Sequence, residues 1–387
     1  MSDWPPRSAG DAPPSAPPGH RATRVVHAGL PAAQQGTPFL PGPVLAAPFH
    51  LSGASDASQY GYGRYANPTW SAYEGALGEL EGGEVVLFSS GMAAVTAVLL
   101  AQLEAGDVVV VPGDAYPGVR AIAVEQLRPR GVEVRIVASD ESAVRGALAG
   151  ATLVWIETPS NPGLAVLDVA ALAADARAAG ALLAVDNTLA TPLTQRPLEL
   201  GAAFSVSSAS KLLSGHSDLV LGYVATADPG RAQTLRTWRG LTGAIAGPLE
   251  TWLAHRSLAT LDVRHERQCA TALVLAEALA GREDVRDVRY SGLQSHPAHA
   301  LAARCFGGRF GCVLCFDLET ERRAQAFIGA CRLIAEATSF GGVHSSAERR
   351  LRWRIDDVSP GFIRLSTGLE DAGDLTADVL GALAASA

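Results

Sequence analysis

Short apolar, β-branched segments alternate with longer segments rich in alanine and leucine from about Ser71 onward, and this alternation constrains the fold most. Parallel strands need long crossover connections, which are usually helices, so the alternation predicts an α/β fold with a mostly parallel sheet covered on both faces. Ligands of such sheets bind outside the carboxyl ends of the strands. The predicted strands are 85–88, 108–111, 132–137, 153–156, 182–185 and 202–206, and the predicted helices are 71–80, 92–103, 118–127 and 169–178.

The length of 387 residues and the hydrophobic content of 48% favour more than one domain. After about Pro248 a long helical stretch precedes predicted strands at 285–290, 310–316 and 362–365, which indicates a smaller C-terminal α/β domain. Prolines limit helix formation before the regular region, so that stretch is expected to lie as an arm over another surface. The predicted division is a disordered proline-rich tail at 1–20, an arm at 21–65, and domains at 66–250 and 251–387.

The net charge of −8 is spread without acidic or basic blocks, so we expect no nucleic-acid partner and no membrane partner. The apolar stretch 85–103 is interrupted by Ser89, Ser90 and Gly91, which predicts a strand, a turn and a helix rather than a membrane span. Five cysteines, all in the last third, and no apolar signal segment favour a reducing cytoplasm. Cys312 and Cys315 have no second ligand pair at zinc spacing, so we expect structural cysteines and no metal.

Lys211 is the only lysine among the 31 Lys and Arg residues of the chain. A lysine amine can lose its proton and form a Schiff base with an aldehyde, whereas a guanidinium cannot. One interpretation is that an amine is indispensable at this position; the other is that a bias against lysine left one survivor. Ser208 and Ser210 lie just before Lys211 in a loop of small residues that follows a predicted strand, and such a loop suits a phosphate.

Two further segments follow predicted strands. Ser90, Gly91 and Met92 open a helix, where free backbone N–H groups and the positive helix end can bind a phosphate; the alternative is an ordinary strand-to-helix turn. Asp186 ends an apolar strand, where a carboxylate is costly unless it is paired; the alternative is a helix-capping or turn aspartate.

Seven motifs in this order resemble one family, from about Thr23 to the C-terminus. This is the cystathionine γ-synthase/γ-lyase family of pyridoxal 5'-phosphate (PLP) enzymes of cysteine and methionine metabolism, and the γ-lyases are most similar. The motifs are Tyr60-Gly-Tyr-Gly-Arg-Tyr-Ala-Asn-Pro-Thr69, Ser89-Ser-Gly-Met92, Asp114-Ala-Tyr116, Glu157-Thr-Pro-Ser-Asn-Pro162, Val185-Asp-Asn-Thr188, the Lys211 loop and Ile363-Arg-Leu-Ser-Thr-Gly-Leu-Glu-Asp371.

The resemblance implies a fold-type I PLP enzyme in which Lys211 binds the cofactor as a Schiff base and then acts as a base. Tyr116 matches the tyrosine that stacks on the cofactor ring and relays a proton, although a core tyrosine is the alternative. Tyr62 and Arg64 match residues that reach the phosphate of the neighbouring subunit, so a homo-oligomer, a dimer of dimers, is implied. The implied cofactor-binding residues are Tyr62, Arg64, Gly91, Met92, Asn161, Asp186, Ser208, Ser210 and Lys211.

Arg364 matches the arginine that binds the substrate α-carboxylate, with a surface salt bridge as the alternative, and Ser339 is a second expected substrate-binding residue. The implied reaction on a small sulfur amino acid is α,γ-elimination, which converts cystathionine to cysteine, 2-oxobutanoate and ammonia. The alternatives are γ-replacement on an O-acyl-homoserine, and a methionine or homocysteine γ-lyase. From other classes, a fold-type I aminotransferase and a catalytically silent binding protein remain open.

The chain departs from the family pattern around the expected substrate entrance. Methionine γ-lyases have a cysteine at the position of Gly118, and the usual arginine three residues later is Ala121, with Arg120 one position early. Gly61 and Thr338 stand where some γ-lyases have acidic residues. The stretch from Ser339 to Arg364 is shorter than usual, and His344 replaces a glutamate. We therefore expect a loose distal site that accepts cystathionine and homocysteine.

Overall fold

The computed structural model describes residues 20–54 and 57–386. The proline-rich tail predicted for 1–20 therefore lies outside the described residues, apart from His20.

A seven-stranded sheet forms the larger part of the fold, in the order β1-β7-β6-β5-β4-β2-β3. The pairs among β2 to β6 are parallel, and β7 is antiparallel to both β1 and β6. The predicted mostly parallel sheet is thus confirmed. The strands are β1 (Glu84–Phe88), β2 (Val108–Pro112), β3 (Glu133–Val137), β4 (Leu153–Glu157), β5 (Leu182–Asp186), β6 (Phe204–Ser208) and β7 (Gly222–Thr226).

Helices cover both faces of this sheet because successive side chains of a strand point to opposite faces. Val109 and Val111 of β2 belong to the cluster that contains the helix at 91–102, whereas Val108 and Val110 belong to the cluster of the helix at 169–178. The helices up to residue 258 are α1 (Arg21–His27), α2 (Pro68–Glu81), α3 (Gly91–Gln102), α4 (Pro117–Ala121), α5 (Glu141–Gly146), α6 (Val169–Ala178), α7 (Thr191–Thr194), α8 (Pro229–Thr242) and α9 (Pro248–Leu258).

Several details of the predicted elements are wrong, among them the strand predicted for 202–206, which is Phe204–Ser208. Helix α2 begins at Pro68 rather than at 71, because the Asn67 side chain accepts from the Thr69 N–H and a proline fits the first helical turn. The single helix predicted for 118–127 is α4 followed by a π-helical turn, Ile122–Leu127. Strand β7 was not predicted, since its antiparallel position between β1 and β6 breaks the strand–helix alternation.

A five-stranded sheet forms the second part, in the order β10-β11-β12-β9-β8. The strand predicted for 310–316 starts later, at Val313. Its strands are β8 (Arg286–Arg289), β9 (Val313–Asp317), β10 (Ala335–Glu336), β11 (Ser346–Arg349) and β12 (Phe362–Ser366), and the accompanying helices are α10 (Leu261–Ala280), α11 (His299–Phe306), α12 (Glu321–Ala330) and α13 (Ala372–Ala385). The domain boundaries at 66, 250 and 251 stay predictions.

None of the helices within the described ranges is both long and apolar enough to cross a bilayer.

Candidate active site

A pocket of about 980 Å³ lies at the carboxyl ends of β4, β5 and β6, where the sheet order predicts a ligand site. The beginning of α3, the loop before β11 and strand β12 complete its walls. Most of the predicted site residues meet here. They are Gly91, Met92, Tyr116, Asn161, Asp186, Ser208, Ser210, Lys211, Ser339 and Arg364.

Lys211 enters the pocket from the turn that follows β6. Its Nζ donates to the Ser339 hydroxyl at 2.6 Å and lies 5.2 Å from the centre of the Phe340 ring. Burial and the positive charge of Arg364 lower the pKa of Lys211 to about 8, although Glu348 opposes this shift. A lysine with this pKa is partly neutral near physiological pH, so it can act as a nucleophile and as a base.

Asp186 lies at the end of β5, opposite Glu157 at the end of β4 in the strand register. Burial raises the pKa of Asp186, while a hydrogen bond from the Thr188 N–H at 3.0 Å lowers it. Burial also raises the pKa of Glu157 well above its ordinary value, and the Asp186 carboxylate raises it further. An ionised Asp186 here needs a cation beside it, and a protonated pyridine nitrogen meets that need.

The beginning of α3 offers a phosphate cradle. The Ser90 hydroxyl accepts from Ala93 N at 3.0 Å, and the N–H groups of the first helical turn have no intrahelical acceptors. A Cβ on Gly91 would lie 2.9 Å from Ser208 Cβ, so the glycine keeps this space open. The Ser210 hydroxyl is held by the backbone of Leu221, accepting from its N–H at 2.9 Å and donating to its carbonyl at 3.1 Å.

Tyr116 precedes α4 and extends into the pocket with 46% of its surface exposed. Its backbone N–H donates to the Glu157 carboxyl at 2.9 Å, which ties the tyrosine to the carboxyl end of β4. A Cβ on Gly118 would lie 2.6 Å from Met92 Sδ and 3.2 Å from the Tyr116 ring. A side chain at position 118 would therefore displace the end of the Met92 side chain and come close to the Tyr116 ring.

Arg364 projects from β12 and is almost fully buried. Its guanidinium donates to the Asn161 side-chain oxygen at 2.8 Å, to the Ser339 carbonyl at 2.8 Å and to the Glu348 carboxylate. Burial lowers the pKa of Arg364, and the Glu348 charge opposes this. Asn161 and Ser339 thus position Arg364. In the register of β11 and β12, the residue opposite Arg364 is Glu348.

The motifs did not reveal Glu348, which sits between two arginines. It accepts from Arg350 at 2.6 Å as well as from Arg364. Burial alone would raise the pKa of Glu348, but Arg364, Arg350 and the Trp353 N–H outweigh it and lower the pKa. The sequence around Glu348 gives little indication that this residue belongs to the site. Its partner depends on how β11 pairs with β12, which the sequence does not show.

Arg120 cannot replace the arginine that is missing at position 121, because its guanidinium is already engaged within the chain. It donates to the carbonyls of Ala115 at 3.0 Å and Ile355 at 2.8 Å, and lies 3.9 Å from the Asp356 carboxylate. Arg120 therefore fixes the loop after β11 to the beginning of α4. His344, in place of the family glutamate, is exposed at the rim of the pocket.

Tyr62 and Arg64 are not among the residues that line this pocket. Arg64 donates to the Gly240 carbonyl at 2.8 Å and lies over the rings of Tyr62 and Tyr65, at 5.6 and 4.5 Å. Both residues are thus placed outside the site of their own chain.

The pocket fits PLP on three observations: a lysine with a lowered pKa, a carboxylate in need of a cation, and a helix start kept open by a glycine. Within residues 20–54 and 57–386, His, Cys, Asp and Glu side chains form no group of three or more suited to a metal ion.

Comparisons with known proteins agree. Residues 22–384 match the model of the family described as Cys/Met metabolism PLP-dependent enzyme. A Streptomyces coelicolor protein with the provisional name cystathionine gamma-lyase is 54% identical over 93% of each chain. The cystathionine gamma-lyase of Bacillus subtilis is 39% identical over 84% of this chain and 89% of its own.

Among solved structures, the cystathionine gamma synthase of Xanthomonas oryzae pv. oryzae, in complex with cystathionine, superposes with a TM-score of 0.91 at 36% identity, covering 96% of this chain and 99% of its own. Other relatives are named cystathionine beta-lyase and L-methionine gamma-lyase, so the names span several reactions. The match over nearly the whole chain, together with the pocket, leads to one conclusion: the chain belongs to the Cys/Met metabolism PLP-dependent enzyme family.

Proposed function

We propose that this PLP enzyme is a carbon–sulfur lyase that catalyses α,γ-elimination, converting cystathionine to cysteine, 2-oxobutanoate and ammonia. The observation that carries the proposal is the position of Lys211, an amine with a pKa lowered to about 8, in one pocket with Arg364. The names of the Streptomyces and Bacillus relatives support the γ-lyase reaction.

PLP, when bound, supplies an electron sink for the carbanion at the substrate Cα. Asp186 keeps the ring nitrogen protonated, because its buried carboxylate gains a charge partner only in that state. Gly91 and Met92 would donate backbone N–H groups to the phosphate, with the hydroxyl of Ser208, and the Ser210 hydroxyl would join them by turning its proton away from the Leu221 carbonyl. Tyr62 and Arg64 match the residues that reach the neighbouring subunit's phosphate in this family, and they would bind it there, since they do not line the pocket of their own chain.

Arg364 binds the substrate α-carboxylate, and Asn161 and Ser339 hold its guanidinium. The neutral amine of Lys211 removes the Cα proton, and a second proton shift involving Cβ prepares the release of the thiol from Cγ. Ser339 positions the Lys211 Nζ through the hydrogen bond of 2.6 Å. Tyr116, which lines the same pocket, would pack against the bound cofactor and give a proton to the departing sulfur.

A γ-replacement on an O-acyl-homoserine is the second candidate, since a cystathionine gamma synthase superposes with a TM-score of 0.91. Both reactions share the intermediate from which the Cγ substituent has left. A methionine or homocysteine γ-lyase is the third candidate, because a relative named L-methionine gamma-lyase is 36% identical over 95% of this chain.

We further propose a dimer of dimers in the cytoplasm. The arm that carries Tyr62 and Arg64 supports the oligomer. The five cysteines, all free, suit a reducing compartment.

Product analysis with L-cystathionine and no acceptor thiol or 2-oxo acid tests the proposal. Cysteine, 2-oxobutanoate and ammonia in equal amounts are expected. Homocysteine with pyruvate would identify β-elimination and overturn it. Product formation only when a 2-oxo acid is added would identify an aminotransferase, and product formation only with an O-acyl-homoserine and a thiol would identify γ-replacement.

A further inference from the structure

The loop between β11 and β12 forms one wall of the pocket mouth. It begins with a 3₁₀ turn, Arg350–Trp353, and continues through Ile355 and Asp356. Trp353 and Ile355 line the pocket and are 46% and 44% exposed, whereas Arg350 and Glu348 behind them are buried. The surface that this loop presents to a bound substrate is therefore largely apolar.

The charged side chains with which this wall lines the pocket, Glu348 and Arg350, are paired inside the chain, whereas Arg352 and Arg354 are exposed and do not line it. Arg350 donates to Glu348 at 2.6 Å and to Asp356 at 2.9 and 2.5 Å. The Trp353 Nε1–H donates to Glu348 at 2.9 Å, which fixes the indole with its polar edge toward the network. Arg350 is held by two carboxylates, Glu348 and Asp356, whereas the only carboxylate on Arg364 is the one that it shares with Arg350, so Arg350 is the less able of the two to bind a substrate carboxylate.

We infer that Trp353 and Ile355 are specificity-determining residues that contact the substituent on the substrate sulfur and favour a small uncharged group over a charged amino-acid end. The inference rests on the proposed γ-elimination. An unpaired charge packed against an indole and an aliphatic side chain loses hydration without gaining a partner, whereas an ethyl group gains apolar contact. The site then takes homocysteine and its short S-alkyl derivatives beside cystathionine, whose charged distal end gains no partner from Trp353 and Ile355.

The test compares kcat/KM for 2-oxobutanoate release from S-ethyl-L-homocysteine, L-homocysteine and L-cystathionine in the PLP-loaded enzyme. A hydrophobic contact of this size changes kcat/KM about tenfold. Trp353→Ala is expected to lower the value for S-ethyl-L-homocysteine about tenfold and to change that for L-homocysteine less than about threefold. Ile355→Arg is expected to raise the ratio of cystathionine to S-ethyl-L-homocysteine about tenfold, since it supplies a carboxylate partner.

Leu333→Ala is the matched control, because Leu333 is similarly exposed on the second part of the chain but does not line the pocket. Trp353→Phe keeps a ring without the N–H to Glu348 and is expected to keep the wild-type preference. If Trp353→Phe loses as much as Trp353→Ala, the indole acts through Glu348 and the inference is overturned.

Unchanged substrate ratios in both Trp353→Ala and Ile355→Arg also overturn the inference. If Trp353→Ala does not fold, the substrate ratios of Trp353→Phe and Ile355→Arg test the inference instead. A wild-type enzyme that releases no 2-oxobutanoate from any of the three substrates refutes the proposed function itself, which is a different result from an enzyme that releases it without the expected preference.

Discussion

The two sides of the pocket differ in how their charges are arranged. On the cofactor side, at the ends of β4, β5 and β6, Asp186 has no ion-pair partner among the described residues, and Lys211 bonds only to a hydroxyl through its Nζ. On the substrate side, between β11 and β12, Glu348 is shared by Arg364 and Arg350. The cofactor side is thus open to a charged ligand, whereas on the substrate side a ligand carboxylate must share Arg364 with Glu348.

This difference follows from where the residues come from. The cofactor side is built from residues that end strands of the main sheet, so each is held by a rigid element and points into a shared edge. On the substrate side, Glu348 and Arg364 lie on the paired strands β11 and β12, whereas Arg350 and Asp356 lie in the connection between these strands, whose shape depends on its ion pairs. Substitutions on the first side should therefore affect chemistry with little loss of stability, and those on the second side should affect both.

The largest expected effect is at Lys211. Lys211→Ala should lower turnover by at least about 10⁴-fold while the protein stays folded, since no second lysine can bind the cofactor. Lys211→Arg is the matched control, because it keeps a positive charge but cannot form a Schiff base. Visible absorption spectra and circular dichroism check both variants. A visible band of lysine-bound cofactor in either variant would contradict the assignment.

Next in size is Asp186→Asn, which should retain PLP but lose about 10²- to 10³-fold in kcat, because a neutral amide does not hold the proton on the ring nitrogen. The unfolding temperature should not fall, since burial raises the pKa of Asp186 and so makes its charge costly in the free protein. Thr188→Val tests whether the hydroxyl beside it matters independently. Wild-type kcat in Asp186→Asn would remove Asp186 from the mechanism.

The arm gives a third test, because it places part of the phosphate site on the neighbouring subunit. Lys211→Ala and Arg64→Ala chains should each be nearly inactive, but a mixture with equal amounts should recover up to about a quarter of wild-type activity. Random pairing makes half of all dimers contain one chain of each variant, and one of the two active sites in such a dimer is intact. Subunit exchange is verified by mass tagging. Exchange without recovery would place Arg64 outside any active site.

On the substrate side, Glu348→Gln should reduce the free energy of unfolding by about 3–5 kcal/mol, because it leaves two buried guanidinium groups without their shared carboxylate. The KM for the amino acid should rise about tenfold as Arg364 loses its orientation. Glu336→Gln is the control, since its pair with Arg352 is exposed and should contribute less than about 1 kcal/mol. Urea unfolding and steady-state kinetics separate the two effects. Equal losses of unfolding free energy in Glu348→Gln and Glu336→Gln would contradict the prediction that the buried ion pairs stabilise the substrate side.

The sequence predicted correctly that the residues of the cofactor side lie together, for a physical reason. Asp186, Lys211 and Gly91 each follow a run of apolar residues, so the strand pattern alone places them at one edge of the sheet. Glu348 could not be found in this way, because its partner Arg364 depends on the register between β11 and β12. The space beside Gly118 depends on the conformation of Met92, a contact between residues 26 positions apart. Strand β7 was missed because it is antiparallel in a mostly parallel sheet.

The smallest expected effect, a pH dependence, connects the two sides through Arg364. Burial and Arg364 lower the pKa of Lys211 to about 8, so the neutral fraction of the amine should rise about tenfold from pH 7 to pH 9 and then level off. The rate at which the PLP-free protein recovers its visible absorption after PLP is added should follow this fraction. A lysine with its ordinary pKa of about 10.5 would instead give a rise of nearly a hundredfold over the same range, with no plateau by pH 9. Arg364→Gln removes one cause of the shift and leaves Glu348, which raises the pKa, so its curve should move to higher pH. A curve that stays in place would mean that burial alone sets the pKa, and that the substrate side does not influence the cofactor side.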